Sequence, residues 1–165
     1  MSIKFVSAGN ILDDPADLLV CCVNLVPGVM GAGQAKAFAD RWPGLPELHR
    51  LMARMKCLEI GKGCIVDSGG ERPWRSIFLL PTKCDWRDPS KLSWVEGGLR
   101  SLVDRVQDAN ETEMNYRSIA CPAAGCGLGG LPWGQVRPLI EGAAARLPEV
   151  EWTVYEPGAE RRAVR

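Results

Sequence analysis

The sequence predicts an α/β protein, a three-layer α/β/α sandwich around a mixed central sheet. Short apolar runs alternate with helical patterns in the order β β α α β β α β α β. One run, Leu18 to Asn24, is almost wholly apolar, which is typical of a strand buried on both faces of a parallel or mixed sheet. The length of 165 residues fits a single domain, residues 1–165.

The first part of the chain supplies two predicted strands and two helices. Ile3 to Ser7 alternates weakly and is the first strand, and Leu18 to Asn24 is the second. Apolar residues from Ala35 to Trp42 follow the spacing i, i+3, i+4, i+7, which predicts a helix that Pro43-Gly44 ends. A second short helix is predicted from Pro46 to Met55.

The middle of the chain carries two β-rich runs and then a long helix. Gly63 to Asp67 and Ser76 to Leu80 are predicted strands, joined by Ser68-Gly69-Gly70 and a proline, with a loop after Pro81. Asp88-Pro89-Ser90 supplies cap and first-turn residues for the helix. Its apolar face comprises Leu92, Val95, Leu99, Leu102, Val103 and Val106.

The last part of the chain completes the sheet. Ser118 to Cys121 is a predicted strand, a helix follows from Pro132, and Glu151 to Tyr155 is the final strand. The apolar face of that helix comprises Val136, Leu139, Ile140, Ala143 and Leu147.

Composition excludes several classes of protein. Twenty Lys and Arg balance twenty Asp and Glu, so a nucleic-acid role would need a local pocket and not bulk phosphate neutralisation. The hydrophobic fraction of 46% excludes a disordered chain. The apolar runs are too short to span a bilayer, and Met1 to Asn10 lacks the apolar stretch of a signal peptide. We expect a cytoplasmic monomer that binds no membrane.

The cysteines and the one histidine limit the chemistry. Seven cysteines without a CxxC pair indicate a reducing compartment, and Cys21-Cys22 are interpreted as small buried residues. A single histidine and widely spaced cysteines predict no metal site. His49 lies in a polar stretch and is expected at the surface, although any Ser-His-Asp or Cys-His catalysis would have to use it.

Two segments share one design, in which a buried strand runs into a glycine loop that opens a helix. They are Gly28 to Gly33 and Gly125 to Gly130. Glycine lets backbone N–H groups converge on an anion, and a helix N-terminus adds about half a positive charge, so two such loops suit a diphosphate. Tight connections without a ligand are the alternative. The second loop also spells G-x-G-x-x-G, but only 35 residues follow it, too few for a dinucleotide domain.

Lys83 follows the Ser76 to Leu80 strand, at the edge where the ligand is expected. There it can act as a cation on phosphate or as a nucleophile toward an electrophilic carbon, and a solvated loop lysine is the alternative. Cys126, flanked by glycines near a helix start, is the second candidate nucleophile, with a small loop-filling residue as the favoured interpretation.

Several short motifs stand in one order along nearly the whole chain. They are Ala8-Gly9-Asn10-Ile11, Gly28 to Gly33, Pro81-Thr82-Lys83 with Trp86-Arg87, Pro122 with Gly125-Cys126-Gly127, Leu131 with Trp133, and Tyr155-Glu156-Pro157. In this order they resemble the macrodomains, and among them the DarG-type antitoxin macrodomains and the terminal ADP-ribose protein glycohydrolase.

The resemblance implies a macrodomain fold with an ADP-ribose pocket between the glycine loops and no cofactor. It also implies hydrolytic removal of ADP-ribose from a modified target, in the DarG case a thymidine of single-stranded DNA, with Lys83 as the catalytic residue at the distal ribose. Trp86 and Arg87 lie just past Lys83 and are candidates for contacting the target nucleotide; a core-edge tryptophan and a surface arginine are the alternative. The implied ADP-ribose-binding residues are Gly9, Asn10, Ile11, Asn24, Met30, Gly31, Ala32, Gly33, Thr82, Ala123, Gly125, Cys126, Gly127, Leu128 and Tyr155.

Three positions depart from the family pattern. Asn10 stands where family members usually carry an aspartate that accepts from the adenine amino group, and a neutral acceptor is weaker. Pro27 is one extra residue between Asn24 and the first loop. Gly129 stands where the protein glycohydrolase has an aspartate, which favours DarG-like chemistry.

Two other functions remain open at this point, and a purely structural module, whose melting temperature would not rise with nucleotide, is a third and less favoured alternative. A non-catalytic reader would bind ADP-ribose through the same loops and release nothing. A hydrolase of a small ADP-ribose derivative would act without any macromolecule and would not depend on Trp86 or Arg87.

Overall fold

A computed structural model describes residues 2–67 and 76–163 and confirms the predicted sandwich. The strands are β1 (Ser2–Val6), β2 (Leu18–Asn24), β3 (Cys64–Asp67), β4 (Ser76–Lys83), β5 (Ser118–Pro122) and β6 (Glu151–Tyr155). The helices are α1 (Gly33–Arg41), α2 (Leu45–Arg54), α3 (Leu92–Asn110), α4 (Trp133–Ala145) and α5 (Ala159–Ala163), with a 3-10 turn at Ile11–Asp13. The predicted Ser68-Gly69-Gly70 connection lies outside the described residues.

The strands of the described residues form one mixed sheet in the order β1-β6-β5-β2-β4-β3. All neighbouring pairs are parallel except β3 and β4, which are antiparallel. The parallel arrangement brings the carboxyl ends of β2, β4, β5 and β6 to one edge of the sheet. Open α/β sheets bind ligands at such an edge.

Alternate residues of the central strands face two separate cores, one on each side of the sheet. Leu18 and Val20 of β2 pack in the core formed with α3 and α4. Leu19 and Cys21 pack in the core formed with α1 and α2. This side-chain period of two, apolar at every position, is what the sequence of β2 predicts. None of the helices in the two described ranges is both long and apolar enough to cross a membrane.

The two middle strands, β2 and β5, part before they end. They pair only where Leu18 and Leu19 meet Ile119 and Ala120. Beyond that point β2 stays with β4 and β5 stays with β6. The sheet therefore opens into a cleft at its carboxyl edge, between its two halves.

Strand β4 is longer than predicted, because it continues through Pro81 to Lys83 where a loop was expected. Its antiparallel neighbour β3 reaches only as far as Leu79, which pairs with Cys64. From Leu80 onward β4 has β2 as its one strand neighbour among the described residues, and a proline without an N–H is tolerated at such an edge.

The predicted cap of α3 is wrong. The helix begins at Leu92 with Lys91 as its N-cap, and no side chain caps it. Ser90 has another role, since its backbone N–H donates to the Gly129 carbonyl at 3.0 Å. The segment before α3 is thus held by a loop about forty residues later in the chain, a contact that local capping patterns do not reveal.

The prediction that His49 lies at the surface is also wrong, because its side chain is fully buried. Leu45, one helical turn earlier, is buried on the same face of α2. The charged neighbours Glu47 and Arg50 lie on the exposed side and pair with each other. Because these neighbours are polar, the sequence around His49 does not indicate that one face of α2 is buried.

The contact between the start of β3 and β4 gives a stability prediction. A Cβ at Gly63 would overlap the Phe78 ring and the Leu79 carbonyl oxygen, neither of which can move freely within the sheet. We expect Gly63→Ala to lower the free energy of unfolding by about 2 kcal/mol or more. Gly142→Ala is the control, because its Cβ would meet nothing within 4 Å and the helix α4 should gain about 0.5–1 kcal/mol. Urea unfolding measures both, and equal stabilities would contradict the packing described.

Candidate functional site

The predicted site residues come together at the cleft between β2 and β5. The first glycine loop follows β2, the second follows β5, Lys83 ends β4 and Tyr155 ends β6. Parallel strands place all four at the same edge of the sheet. Beside the cleft, the Cys22 N–H donates to the Gln34 side chain at 3.1 Å. A residue in the first turn of α1 thus accepts from a backbone N–H of β2.

Side chains from behind hold the first glycine loop in place. Asn24 accepts from the Val26 N–H at 2.9 Å and donates through Nδ2 to the Val29 carbonyl at 3.0 Å. His49 accepts from the Gly28 N–H at 3.0 Å through Nδ1. Gly28 has a φ of +78°, a conformation that a residue with a side chain would adopt only under strain. The loop conformation is therefore set before any ligand arrives.

The second glycine loop is held mainly by its own backbone. The Leu131 N–H donates to Gly125 at 2.9 Å and the Gly130 N–H donates to Gly127 at 3.1 Å. Ser90 contacts the loop from the side at Gly129. Both loops thus keep their shape through bonds that leave other amides unused.

Those unused amides lie at the tips of the two loops. Within residues 2–67 and 76–163 these backbone N–H groups donate to no protein acceptor: Met30, Gly31, Ala32 and Gly33 in the first loop, and Gly127, Leu128 and Gly129 in the second. Those at the start of α1 belong to the first turn, where the helix itself offers no acceptor. Converging N–H donors of this kind form an anion site without a charged side chain.

The two loops touch each other across the cleft. The Leu128 side chain is 70% exposed, and its Cδ1 lies 3.2 Å from the position that a Cβ at Gly33 would occupy. Lys83 reaches the same place, because its Nζ donates to the Leu128 carbonyl at 3.2 Å and to the Trp86 carbonyl at 3.3 Å. The ammonium group is therefore held at the junction of β4 with the second loop.

The opposite end of the site is formed around Gly9. The Gly9 backbone, with a φ of +139°, packs against the Tyr155 ring and donates its N–H to Ala159 at 3.1 Å. Asn10 uses its Oδ1 to accept from the Leu12 N–H at 3.0 Å. Tyr155 donates its hydroxyl to Asp14 at 2.7 Å, and burial together with that carboxylate raises the pKa of Tyr155.

Several predicted binding residues are buried and can offer only their backbone or their packing to a ligand. Ile11, Met30 and Thr82 are almost fully buried, and Ile11 and Met30 belong to the core against α1 and α2. Asn24 is buried too, and its amide is engaged by the first loop. Ala123 accepts the Cys126 N–H at 3.1 Å and so shapes the second loop.

The cysteines near the cleft are poor nucleophiles. Burial raises the pKa of the Cys126 thiol to about 11 and that of Cys22 to about 12. The thiolate, which is the reactive form, is therefore scarce at neutral pH. This favours the interpretation of Cys126 as a small loop residue and leaves Lys83 as the nucleophile candidate.

Trp86 and Arg87 stand at the rim beside Lys83. Trp86 is 49% exposed, and the Arg87 guanidinium lies 4.5 Å from its ring centroid. Arg87 also pairs with Asp85, with Nη1 3.2 Å from a carboxylate oxygen. An exposed indole backed by a cation offers a stacking surface, whereas the arginine charge is already partly compensated.

Four residues that shape the site were not predicted. Gln34, His49, Ser90 and Asp14 act through contacts to groups far away in sequence or to the backbone. Gln34 follows the first loop directly, which is the one signal that could have identified it. No local pattern marks Asp14 or Ser90, and for His49 the apolar Leu45 four residues earlier indicates only the buried face of the helix.

A second concavity lies elsewhere, between α3 and the turn at Gly61, with a volume of about 420 Å³. Its lining includes Arg100 and Asp104, which pair with Glu96 and Arg146 respectively. This groove contains compensated charges and no glycine loop, so the cleft at the strand ends is the stronger candidate.

Comparisons with known proteins identify the family of the chain. The Macro domain family model matches residues 26–140. A DNA ADP-ribosyl glycohydrolase of Thermus aquaticus is 42% identical over 149 residues, which cover 90% of this chain and 40% of that protein. The chain spans about two fifths of the length of the curated relatives it matches.

Solved structures with the same fold include two DarG-type proteins. The macrodomain of Thermus aquaticus DarG superposes with a TM-score of 0.84 at 40% identity, covering 94% of this chain and 98% of that one. Thermosipho africanus DarTG in complex with ADP-ribose gives a TM-score of 0.85 at 26% identity, covering 99% of this chain and 46% of that one.

The two loop glycines at positions 127 and 129 should respond differently to alanine. A Cβ at Gly129 would overlap Ser90 Oγ and the Gly125 carbonyl, so we expect Gly129→Ala to lower the melting temperature by several degrees, for a cost of about 1–3 kcal/mol. A Cβ at Gly127 would meet nothing within 4 Å, so Gly127→Ala should melt like the parent. Differential scanning calorimetry of the ligand-free proteins compares them, and equal melting temperatures would show that Ser90 does not pack on the loop.

Proposed function

The chain belongs to the Macro domain family, and we propose that it is an ADP-ribosyl hydrolase that removes ADP-ribose from modified DNA. One observation carries the proposal: two glycine loops with unused backbone N–H groups meet at Gly33 and Leu128, and Lys83 bonds the second loop at the same place. The relatives named DNA ADP-ribosyl glycohydrolase support DNA as the carrier of the modification.

In the proposed complex the two loops hold the diphosphate of ADP-ribose. The N–H groups of Gly31 to Gly33 and of Gly127 and Leu128 donate to its oxygens, and their fixed conformation means that little ordering is required on binding. The adenine lies toward Gly9 to Ile11 and Tyr155, and the distal ribose lies toward Lys83. Asn24 and His49 contribute by holding the first loop in place.

Lys83 is the proposed catalytic residue. With the diphosphate held by the loops, the anomeric carbon of the distal ribose faces the lysine amine. The amine, once its proton has passed to solvent, bonds to that carbon as the bond to the target base breaks, or it stabilises the ring-opened sugar while the base leaves. Water then adds to the carbon, the bond to the lysine nitrogen breaks where one has formed, and ADP-ribose is released. The bonds from Nζ to the carbonyls of Trp86 and Leu128 aim the side chain along the cleft.

The proposed target is a thymidine of single-stranded DNA. The balanced charge of the chain favours recognition of one exposed nucleotide over binding of a long phosphate backbone. Trp86, exposed beside the lysine, supplies a surface on which such a base can stack. The Arg87 guanidinium packs on one face of the Trp86 indole and leaves the other face for the base.

A non-catalytic reader is the second candidate function: Asn10 favours it, and Gly129 is compatible with it as well as with DarG-like chemistry. Asn10 replaces a carboxylate with a neutral amide whose oxygen already bonds the Leu12 N–H. Gly129 leaves the second loop without an acidic group. A reader and a hydrolase both bind ADP-ribose, and only turnover separates them.

Lys83→Ala tests the proposed chemistry. We expect the release of ADP-ribose from ADP-ribosylated single-stranded DNA to slow by about 100-fold or more, because the reacting group is gone. Binding of free ADP-ribose, measured by calorimetry, should persist because the loop amides remain. Lys91→Ala, at an exposed lysine before α3, is the control and should turn over normally. Unchanged turnover in Lys83→Ala would remove the lysine from the mechanism, and a parent that binds ADP-ribose without turnover would be a reader.

Trp86→Ala tests the DNA target. Loss of one stacked base costs about 1–3 kcal/mol, so the KM for modified single-stranded DNA should rise by about 5- to 150-fold. The affinity for free ADP-ribose should not change, because the indole lies at the rim. Leu51→Ala, at an exposed apolar residue of α2, is the control. Equal KM values for the parent and Trp86→Ala would instead favour a hydrolase of small ADP-ribose derivatives.

A further inference from the structure

His49 joins the first glycine loop to the end of β2 from inside the protein. The ring is fully buried, with Nε2 2.8 Å from the Asn24 carbonyl oxygen and Nδ1 3.0 Å from the Gly28 nitrogen. A backbone N–H can only donate and a carbonyl can only accept. These partners therefore require a neutral imidazole that carries its proton on Nε2 and leaves Nδ1 free to accept.

The Asn24 side chain also holds the first glycine loop through hydrogen bonds. The Asn24 side chain binds Val26 and Val29, and His49 binds the Asn24 carbonyl and Gly28. Two side chains thus fix the stretch from residue 25 to residue 29. That stretch leads directly into the unused N–H groups of the loop tip, so its conformation determines where those donors point.

We propose that His49 is a positioning residue for ADP-ribose binding: in its neutral form it holds the first glycine loop, through Gly28 and Asn24, in the conformation that receives the diphosphate. This inference rests on the proposed function, since it names the residue that prepares the same site. His49 itself is buried behind the loop and touches no ligand.

A protonated His49 is incompatible with this arrangement. A proton on Nδ1 would face the Gly28 N–H, so two donors would oppose each other and the loop bond would be lost. Among the described residues, those that bond the ring offer the imidazolium no carboxylate: residues 25–29 and Asn24 contain no titratable side chain, and on α2 Glu47 is paired with Arg50. Arg50, whose Nε lies near Gly28, adds a positive charge on that side. Burial lowers the pKa of His49, and the bond to the Asn24 carbonyl offsets part of that effect.

The chain is well suited to a pH experiment, because His49 is its one histidine. Histidine is the one side chain whose ordinary pKa, about 6.5, lies between pH 5 and pH 8. The diphosphate of ADP-ribose is doubly esterified and keeps its charge over this range. A change in affinity between these pH values would therefore report on the imidazole.

The sign of the effect follows from linkage. If the bound form requires neutral His49, then binding releases a proton wherever the free protein is protonated. The Kd for ADP-ribose should be constant at neutral pH and should rise by up to about tenfold per pH unit below the pKa of His49. Because burial lowers that pKa, the rise should begin below the ordinary histidine value.

Calorimetric titration with ADP-ribose from pH 7.5 to pH 5.0 tests the proposal on three proteins. The parent should bind more weakly as the pH falls, as derived above. His49→Gln should show a flat profile, because an amide retains a donor and an acceptor but does not titrate. Leu45→Ala is the matched control: it leaves a cavity on the buried face of the same helix, so it should melt earlier while keeping the parental pH profile.

An NMR titration of the parent adds a readout that needs neither ligand nor variant. The single imidazole should show the Nε2–H tautomer at pH 7.5, and the Gly28 amide signal should shift with the same midpoint as the ring. An affinity in the parent that stays flat through the pH at which the NMR titration shows the ring to protonate, a parental profile in His49→Gln, or the Nδ1–H tautomer would each overturn the proposal. A parent that binds no ADP-ribose at any pH would instead contradict the proposed function, and the NMR titration would still decide whether His49 holds the loop.

Discussion

The site depends on the early parting of β2 and β5. These two middle strands pair over only two residues, Leu18 with Ile119 and Leu19 with Ala120, and then separate toward their outer neighbours. The carboxyl ends of the two halves of the sheet are thereby spread apart, and each half contributes one glycine loop to the gap. If the strands stayed paired to their ends, the loops would meet without a cleft between them. The opening is the topological switch point at which α/β sheets bind ligands.

The two loops are shaped in different ways for the same purpose. The first is held by side chains behind it, Asn24 and His49, while the second is held by its own backbone bonds and by Ser90. In both cases the bonds are made on the inner side of the loop, and the N–H groups at the tip remain available. Donors fixed in place before binding lose little conformational freedom when an anion arrives. Lys83 adds a charge held by the Trp86 and Leu128 carbonyls, beside the contact between the two loops.

The layers, and the edge of the sheet at which the candidate residues lie, could be predicted because they depend on local patterns. The apolar run of β2 indicates a buried strand, and glycines that follow such a strand and precede a helix indicate a phosphate-binding loop. His49 and Ser90 could not be predicted, because their partners Gly28 and Gly129 lie about twenty and forty residues away. For His49 the buried Leu45 was the better guide, since residues four apart on a helix share a face. Strand β4 can continue through Pro81 because its neighbour β3 has already ended. The sequence of β4 alone does not show where β3 ends.

The central claim is that the two glycine loops hold one diphosphate and present the distal ribose to Lys83. A crystal structure of the chain with ADP-ribose tests it most directly. The account predicts diphosphate oxygens within hydrogen-bond distance of the free N–H groups of both loops, and the anomeric carbon of the distal ribose facing the Lys83 amine. A nucleotide bound at another surface, or both loops empty with the lysine turned into solvent, would contradict it.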